Sequence, residues 1–149
     1  NNLIQRSMFN SLIQENQVDV VLQGHEHSYG RMTLADEQGN RTTPLYTVSH
    51  CSPKLYRICF SERFDKFGID GKYYQQLLVH GDTLSMNTYD ATSGKLYDAV
   101  DLIKKNGKTQ VMDKGQDIPE NLNFVPDLNN QKDREYLEQI KAYKEKRGI

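Results

Sequence analysis

"VDVVLQGHEHSYGR", residues Val18 to Arg31, carries the clearest strand signal in the sequence and, directly after it, the densest cluster of histidines. Val18, Val20, Val21 and Leu22 make a short, β-branched apolar run, the pattern of a strand buried on both faces. The run ends at Gly24, and His25 and His27 follow with one residue between them. Only four histidines occur in 149 residues, so half of them stand at this strand end. Neutral imidazole is the commonest side-chain metal ligand, and the carboxyl end of a strand in an α/β sheet is where ligand sites form. On a continuing strand, residues 25 and 27 would share a face merely as neighbours. A glycine just before them lets the backbone turn, which can aim the two rings separately. Glu26 is read as facing solvent or supporting a ligand rather than ligating.

Upstream, Leu3, Ile4, Met8, Phe9, Leu12 and Ile13 fall along one side of a helix of period 3.6, with Gln5, Arg6, Asn10 and Gln14 opposite. The expectation is an amphipathic helix that lays one stripe on a sheet and feeds the buried strand. This is the second half of a βαβ unit, whose first strand is expected upstream of Asn1.

Downstream the pattern changes to alternation broken by turn residues. Met32–Leu34 and "TPLYTVS" flank "ADEQGN", where Gly39-Asn40 suits a tight turn. "YYQQLLV" and "TLSMNTYD" flank "HGD"; "LYDAVDLI" follows "ATSGK"; and Asn106-Gly107 precedes "TQVMD". These predict an antiparallel meander. The segment from Cys51 to Lys72 has no clean period and is read as an ordered loop. The prolines and asparagines over 113–130 read as an extended linker. Residues 131–149 read as a charged helix whose narrow stripe, Tyr136, Leu137, Ile140 and Tyr143, docks on its own domain, with Gly148 as C-cap. The fold class is therefore α/β, as an α+β sandwich fragment: helix and buried strand, antiparallel meander over the rest of 1–112, linker 113–130, C-terminal helix.

A formal net charge of −1 and a pI near 6.5 supply no electrostatic case for nucleic acid or an anionic membrane. No apolar run approaches the roughly 20 residues that span a bilayer. Cys51 and Cys59 suit either a small disulfide loop in an oxidising compartment, as in a secreted or periplasmic protein, or two buried thiols, and Asn40-Arg41-Thr42 is a formal sequon that matters only in a eukaryotic secreted protein.

With these residues in view, "VDVVLQGHEHSYGR" resembles the last metal-binding motif of the calcineurin-like metallophosphoesterases, G-H-x-H after an apolar strand. The trailing Ser28-Tyr29 and Arg31 resemble the purple acid phosphatase branch. "PLYTVSHCSPKLY" and "TYDATSGKLYDAVDLIKK" are similar to that family's closing strands, so the resemblance spans about Leu3 to Lys105.

The resemblance implies hydrolysis of phosphate esters by two transition-metal ions (Fe, Zn or Mn) sharing a bridging hydroxide. His25 and His27 would each ligate a different ion, and His50, in the region of the family's site loop, would touch substrate. The family's other ligands, in D-x-H, G-D-x-x-D or G-D-x-x-Y, G-N-H and a further histidine, are absent from this chain and are expected in an upstream part of the same protein. The chain by itself is therefore expected to be inactive. His80-Gly81-Asp82 superficially resembles one of these motifs but reads as a hairpin turn. Gly30 stands where the branch carries an acidic residue. Arg31 can grip either a phosphate or a carboxylate.

Overall fold

The computed structural model describes the backbone from Asn2 to Ile149 except Leu55, with side chains from Met8 onward. It is an α+β fold: helix α1 (Asn2–Glu15), two four-stranded sheets, and helix α2 (Gln131–Arg147). The first sheet holds β1 (Val20–Gln23), β2 (Tyr29–Ala35), β3 (Arg41–Val48) and β4 (Lys66–Gly68), in the order β1-β3-β2-β4. The second is a meander of β5 (Tyr73–His80), β6 (Thr83–Asp90), β7 (Leu96–Lys105) and β8 (Lys108–Asp113). Among the described residues no helix is long and apolar enough to cross a membrane.

Each expected hairpin forms. β2 pairs antiparallel with β3 across a turn in which Gly39 takes φ 81°, and the Asp36 carboxylate accepts from the backbone N–H of Gln38 and Asn40. Gly81, Gly94 and Gly107 supply the left-handed residues of the next three turns. β1 is the exception to antiparallel pairing: it runs parallel to β3, Val20 opposite Leu45 through Gln23 opposite Val48.

The two sheets face each other across Leu45, Met86, Val100 and Leu102, with Val20, Leu84 and Val111 packed at the margin. Beside this lies a cluster of three tyrosines, Tyr29, Tyr73 and Tyr97, with Tyr29 set edge-on to Tyr97. A third cluster forms where α2 docks. Tyr136, Ile140 and Tyr143 cover Phe67, Ile69 and Leu122, each fully buried apolar side chain contributing roughly 1.5–3 kcal/mol. Asn130 caps the helix by accepting from Lys132 N at 3.0 Å, and Gly148 closes it at φ 69°. The stripe read from the sequence is thus the docking face.

The stretch after β8, irregular with turns at 116–117 and 128–129, lies against the first sheet. Ile69 N donates to Asn121 O at 2.8 Å, Phe67 N to a Glu120 carboxylate oxygen at 2.8 Å, and the buried Lys66 Nζ to Gly115 O at 2.9 Å. The loop expected between Cys51 and Lys72 is irregular except for the three residues of β4.

Two expectations about burial fail. β1 is not buried on both faces: it is an edge strand with one partner, its valines are half-buried and Leu22 is 58 % exposed. Nor does α1 lay its stripe on a sheet, for Met8 and Phe9 are 65 % and 60 % exposed and Leu12 is exposed as well. Period and propensity decide that a helix forms; which surface covers it depends on neighbours that a local pattern does not name. Leu3 and Ile4, counted in the same stripe, lie outside the residues whose side chains are described.

Candidate functional site

The loop Gly24–Ser28 leaves β1 and turns into β2. The turn is made at His25, which takes φ 80°, and not at Gly24 as expected. Gly24 stays out of the left-handed region, and a methyl group there would meet nothing within 4 Å. A histidine held at positive φ pays a backbone cost that glycine would not, and such strain collects at functional loops. The His25 side chain is exposed; among the described residues it makes no hydrogen bond, ion pair or ring contact. Glu26 is exposed too.

His27 is held on three sides. Its Nδ1 donates to the Lys54 carbonyl, which can only accept, so Nε2 is the ring nitrogen left clear of that bond. Metal-binding histidines are characteristically oriented in this way, one nitrogen donating to a carbonyl while the other faces the ion. Two further rings stack on the imidazole: Tyr56 at 4.2 Å and His50 at 4.9 Å between centroids, tilted by 24° and 18°. Lys54 reaches over the same tyrosine, its Nζ 5.0 Å from the ring centroid.

His50 follows β3 and is pinned through its backbone, whose carbonyl accepts from Tyr73 N at 2.8 Å. Both of its ring nitrogens are buried without a hydrogen-bond partner. Burial, then the neighbouring His27, holds its pKa below the ordinary histidine value, which favours the neutral ring. The fold therefore brings His27 and His50, distant in sequence, into ring contact. Among the described residues no group of three or more His, Cys, Asp or Glu side chains is gathered to hold an ion. Cys51 and Cys59 are both exposed, free thiols.

Immediately beyond the loop the chain is anchored to the opposite sheet. Tyr29 OH donates to Asp98 Oδ2 at 2.7 Å, Arg31 Nε to the same oxygen at 2.6 Å, and Arg31 Nη2 to Asp113 at 2.9 Å. Burial alone would lower the arginine's pKa, but hydrogen bonding and the charges of Asp98 and Asp113 more than offset it and raise it. Between phosphate and carboxylate, Arg31 is thus committed to carboxylates. Tyr29, just beyond the loop, packs its ring with Tyr73 and Tyr97 and gives its hydroxyl to a carboxylate. Burial first, then the charge of Asp98, pushes that hydroxyl's pKa well up. At Gly30 a Cβ would come within 2.6 Å of the Phe64 ring, so an acidic side chain there requires Phe64 to move. His80-Gly81-Asp82 forms the β5–β6 turn, with Lys104 N donating to Asp82 O at 2.8 Å.

Three participants escaped the sequence reading. Asp98 had a signal, one of two acids, with Asp101, inside the otherwise apolar run "LYDAVDLI", at a position alternation makes ambiguous. Tyr56 sat in a loop without period, and Lys54 acts through its carbonyl, which any residue carries. No family model, curated protein or solved structure matches the chain.

Proposed function

We propose that the chain is the C-terminal portion of a dinuclear-metal phosphoesterase that hydrolyses phosphate esters, with His25 and His27 as the metal ligands of a G-H-x-H motif. The observation that supports this is the Nδ1–Lys54 carbonyl bond, which would leave His27 Nε2 to coordinate, on a loop strained at His25. The residues present fit half of such a centre. His25 and His27 would hold it from this side, and the remaining ligands would come from an upstream part of the protein. When bound, a pair of Fe, Zn or Mn ions offsets phosphate charge and lowers the pKa of bound water. The chain's own contribution is positional. Arg31 and Tyr29 tie the loop's exit to Asp98, and Tyr56, His50 and the Lys54 carbonyl hold the His27 ring.

A second reading, a non-enzymatic binding module derived from this fold, is favoured by the apolar residues left exposed on α1. The coding sequence preceding Asn1 discriminates. D-x-H, G-D-x-x-D or G-D-x-x-Y, G-N-H and a further histidine, in that order, support the phosphoesterase; their absence overturns it.

A further inference from the structure

The two sheets have four edge strands, and three of them are protected. β1 has four residues and β4 three, too short to template pairing, while β8 carries Lys108 and Asp113 at its ends. β5 is different. It runs eight residues, "YYQQLLVH", with no Lys, Arg, Asp, Glu or Pro, and pairs with β6 in unbroken register from Tyr73–Asp90 to His80–Thr83. Its apolar side chains are open on both faces: Leu77 and Leu78 are exposed, and Val79 is 75 % exposed.

The backbone shows which groups await a partner. Tyr73 points its N–H and C=O away from β6, donating to His50 O and accepting from Ser49 Oγ and Cys51 Sγ. Alternation in an antiparallel ladder then directs the N–H and C=O of Gln75, Leu77 and Val79 the same way, and these have no hydrogen-bond partner among the described residues. The run 49–51 closes the edge at Tyr73 and the turn at Gly81 closes it at the other end, so what lies open is centred on Leu77. Leu77 and Val79 oppose Met86 and Leu84 across the ladder and so lie on the face that builds the inter-sheet core.

We propose that β5 is a self-association edge at which two copies of this chain pair antiparallel about a twofold axis through Leu77, joining their meanders into one eight-stranded sheet. The occupant is a second copy because the edge is complementary to itself. The register sets Leu77 against Leu77 and Gln75 against the β-branched Val79, with no charge within either strand to repel the other. It also brings Lys72 of one copy toward the exposed Asp82 of the other, an opposite-charge pair repeated at both ends. Neither Lys72 nor Asp82 has a salt-bridge partner within the chain among the described residues. This inference stands apart from the metal chemistry, since no histidine ligand takes part.

Sedimentation equilibrium of the 149-residue chain tests it. The expected mass is twice 17.2 kDa. Leu77→Lys and Leu77→Glu, each placing like charges on the axis, sediment as monomers with unchanged circular dichroism, and their equimolar mixture returns to the dimer mass. Leu22→Lys, on the other sheet, keeps the dimer. A wild-type chain that sediments as a monomer overturns the proposal, as does a dimer that survives both Leu77 variants. Should Leu77→Lys alter the circular dichroism, Lys72→Asp mixed with Asp82→Lys provides the second readout: each weakens self-association alone and the mixture restores it, and failure to weaken it overturns the register.

Discussion

Arg31 and Asp98 face each other from opposite sheets, 2.6 Å between Nε and Oδ2, both side chains shut away from solvent. Tyr29 gives its hydroxyl to the same carboxylate oxygen and Thr88 Oγ1 bonds to Tyr29 OH at 3.2 Å, so one acid organises the first strand after the histidine loop. A buried pair of this kind is not itself strong evidence of stability, but removing one partner strands the other charge.

Asp98→Ala is therefore expected to destabilise the chain by about 3–5 kcal/mol. Urea unfolding measures it. A loss within about 0.5 kcal/mol, the usual range for surface substitutions, would mean that water or another acid reaches Arg31.

Two glycines should behave oppositely although neither has positive φ. A Cβ at Gly115 would collide with the Asp98 carboxylate and lie 2.8 Å from Ala99 N, whereas one at Gly24 would meet nothing within 4 Å. Gly115→Ala is expected to cost about 1–3 kcal/mol by overpacking and Gly24→Ala about 0.5 kcal/mol or less. Thermal melts of the two variants side by side check the order; a reversed order contradicts the account of why the loop turns at residue 25.

That turn makes a prediction of its own. Because His25 sits at φ 80°, His25→Gly relieves a left-handed side chain and is expected to match or exceed wild-type stability by up to about 1 kcal/mol, while His25→Ala keeps the strain. Both remove the imidazole. If His25→Gly is the less stable of the two in urea unfolding, the strain is not there.

Acid should unfold the protein partly through Asp113. Burial alone would raise its pKa, but hydrogen bonding and charge from Arg31, then the Gly115 N–H, hold it below its ordinary value of 3.8. With the folded value below the unfolded one, the stabilisation is full above about pH 5 and is lost as pH falls through the folded value. Asp113→Asn should flatten the dependence of the urea midpoint on pH below about pH 4. An unchanged slope assigns the acid sensitivity elsewhere.

How much of this was legible in the sequence depends on the range of the interaction. The hairpins were, because Gly39-Asn40 and Asn106-Gly107 encode their turns locally and alternation encodes the faces. So was the placing of His25 and His27 on the loop that leaves β1, because a strand end and two imidazoles lie within ten residues of chain. The commitment of Arg31 to Asp98 was not, since a guanidinium grips phosphate and carboxylate alike and the deciding residue lies 67 positions away. The exposed stripe on α1 and the half-open β1 were misjudged for a related reason: an apolar pattern says that a face seeks cover and not what covers it. β4 was missed because three residues pairing with β2 carry no period to detect.

The most direct measurement is calorimetric titration of the wild-type chain, His25→Ala and His27→Ala with zinc and manganese. The account predicts weak binding of a single ion to the wild type, lost in both variants, with Lys54 left in place to hold the His27 ring in the first of them. Equal affinity in all three would contradict it, and would remove His25 and His27 from the metal centre on which the proposed function rests.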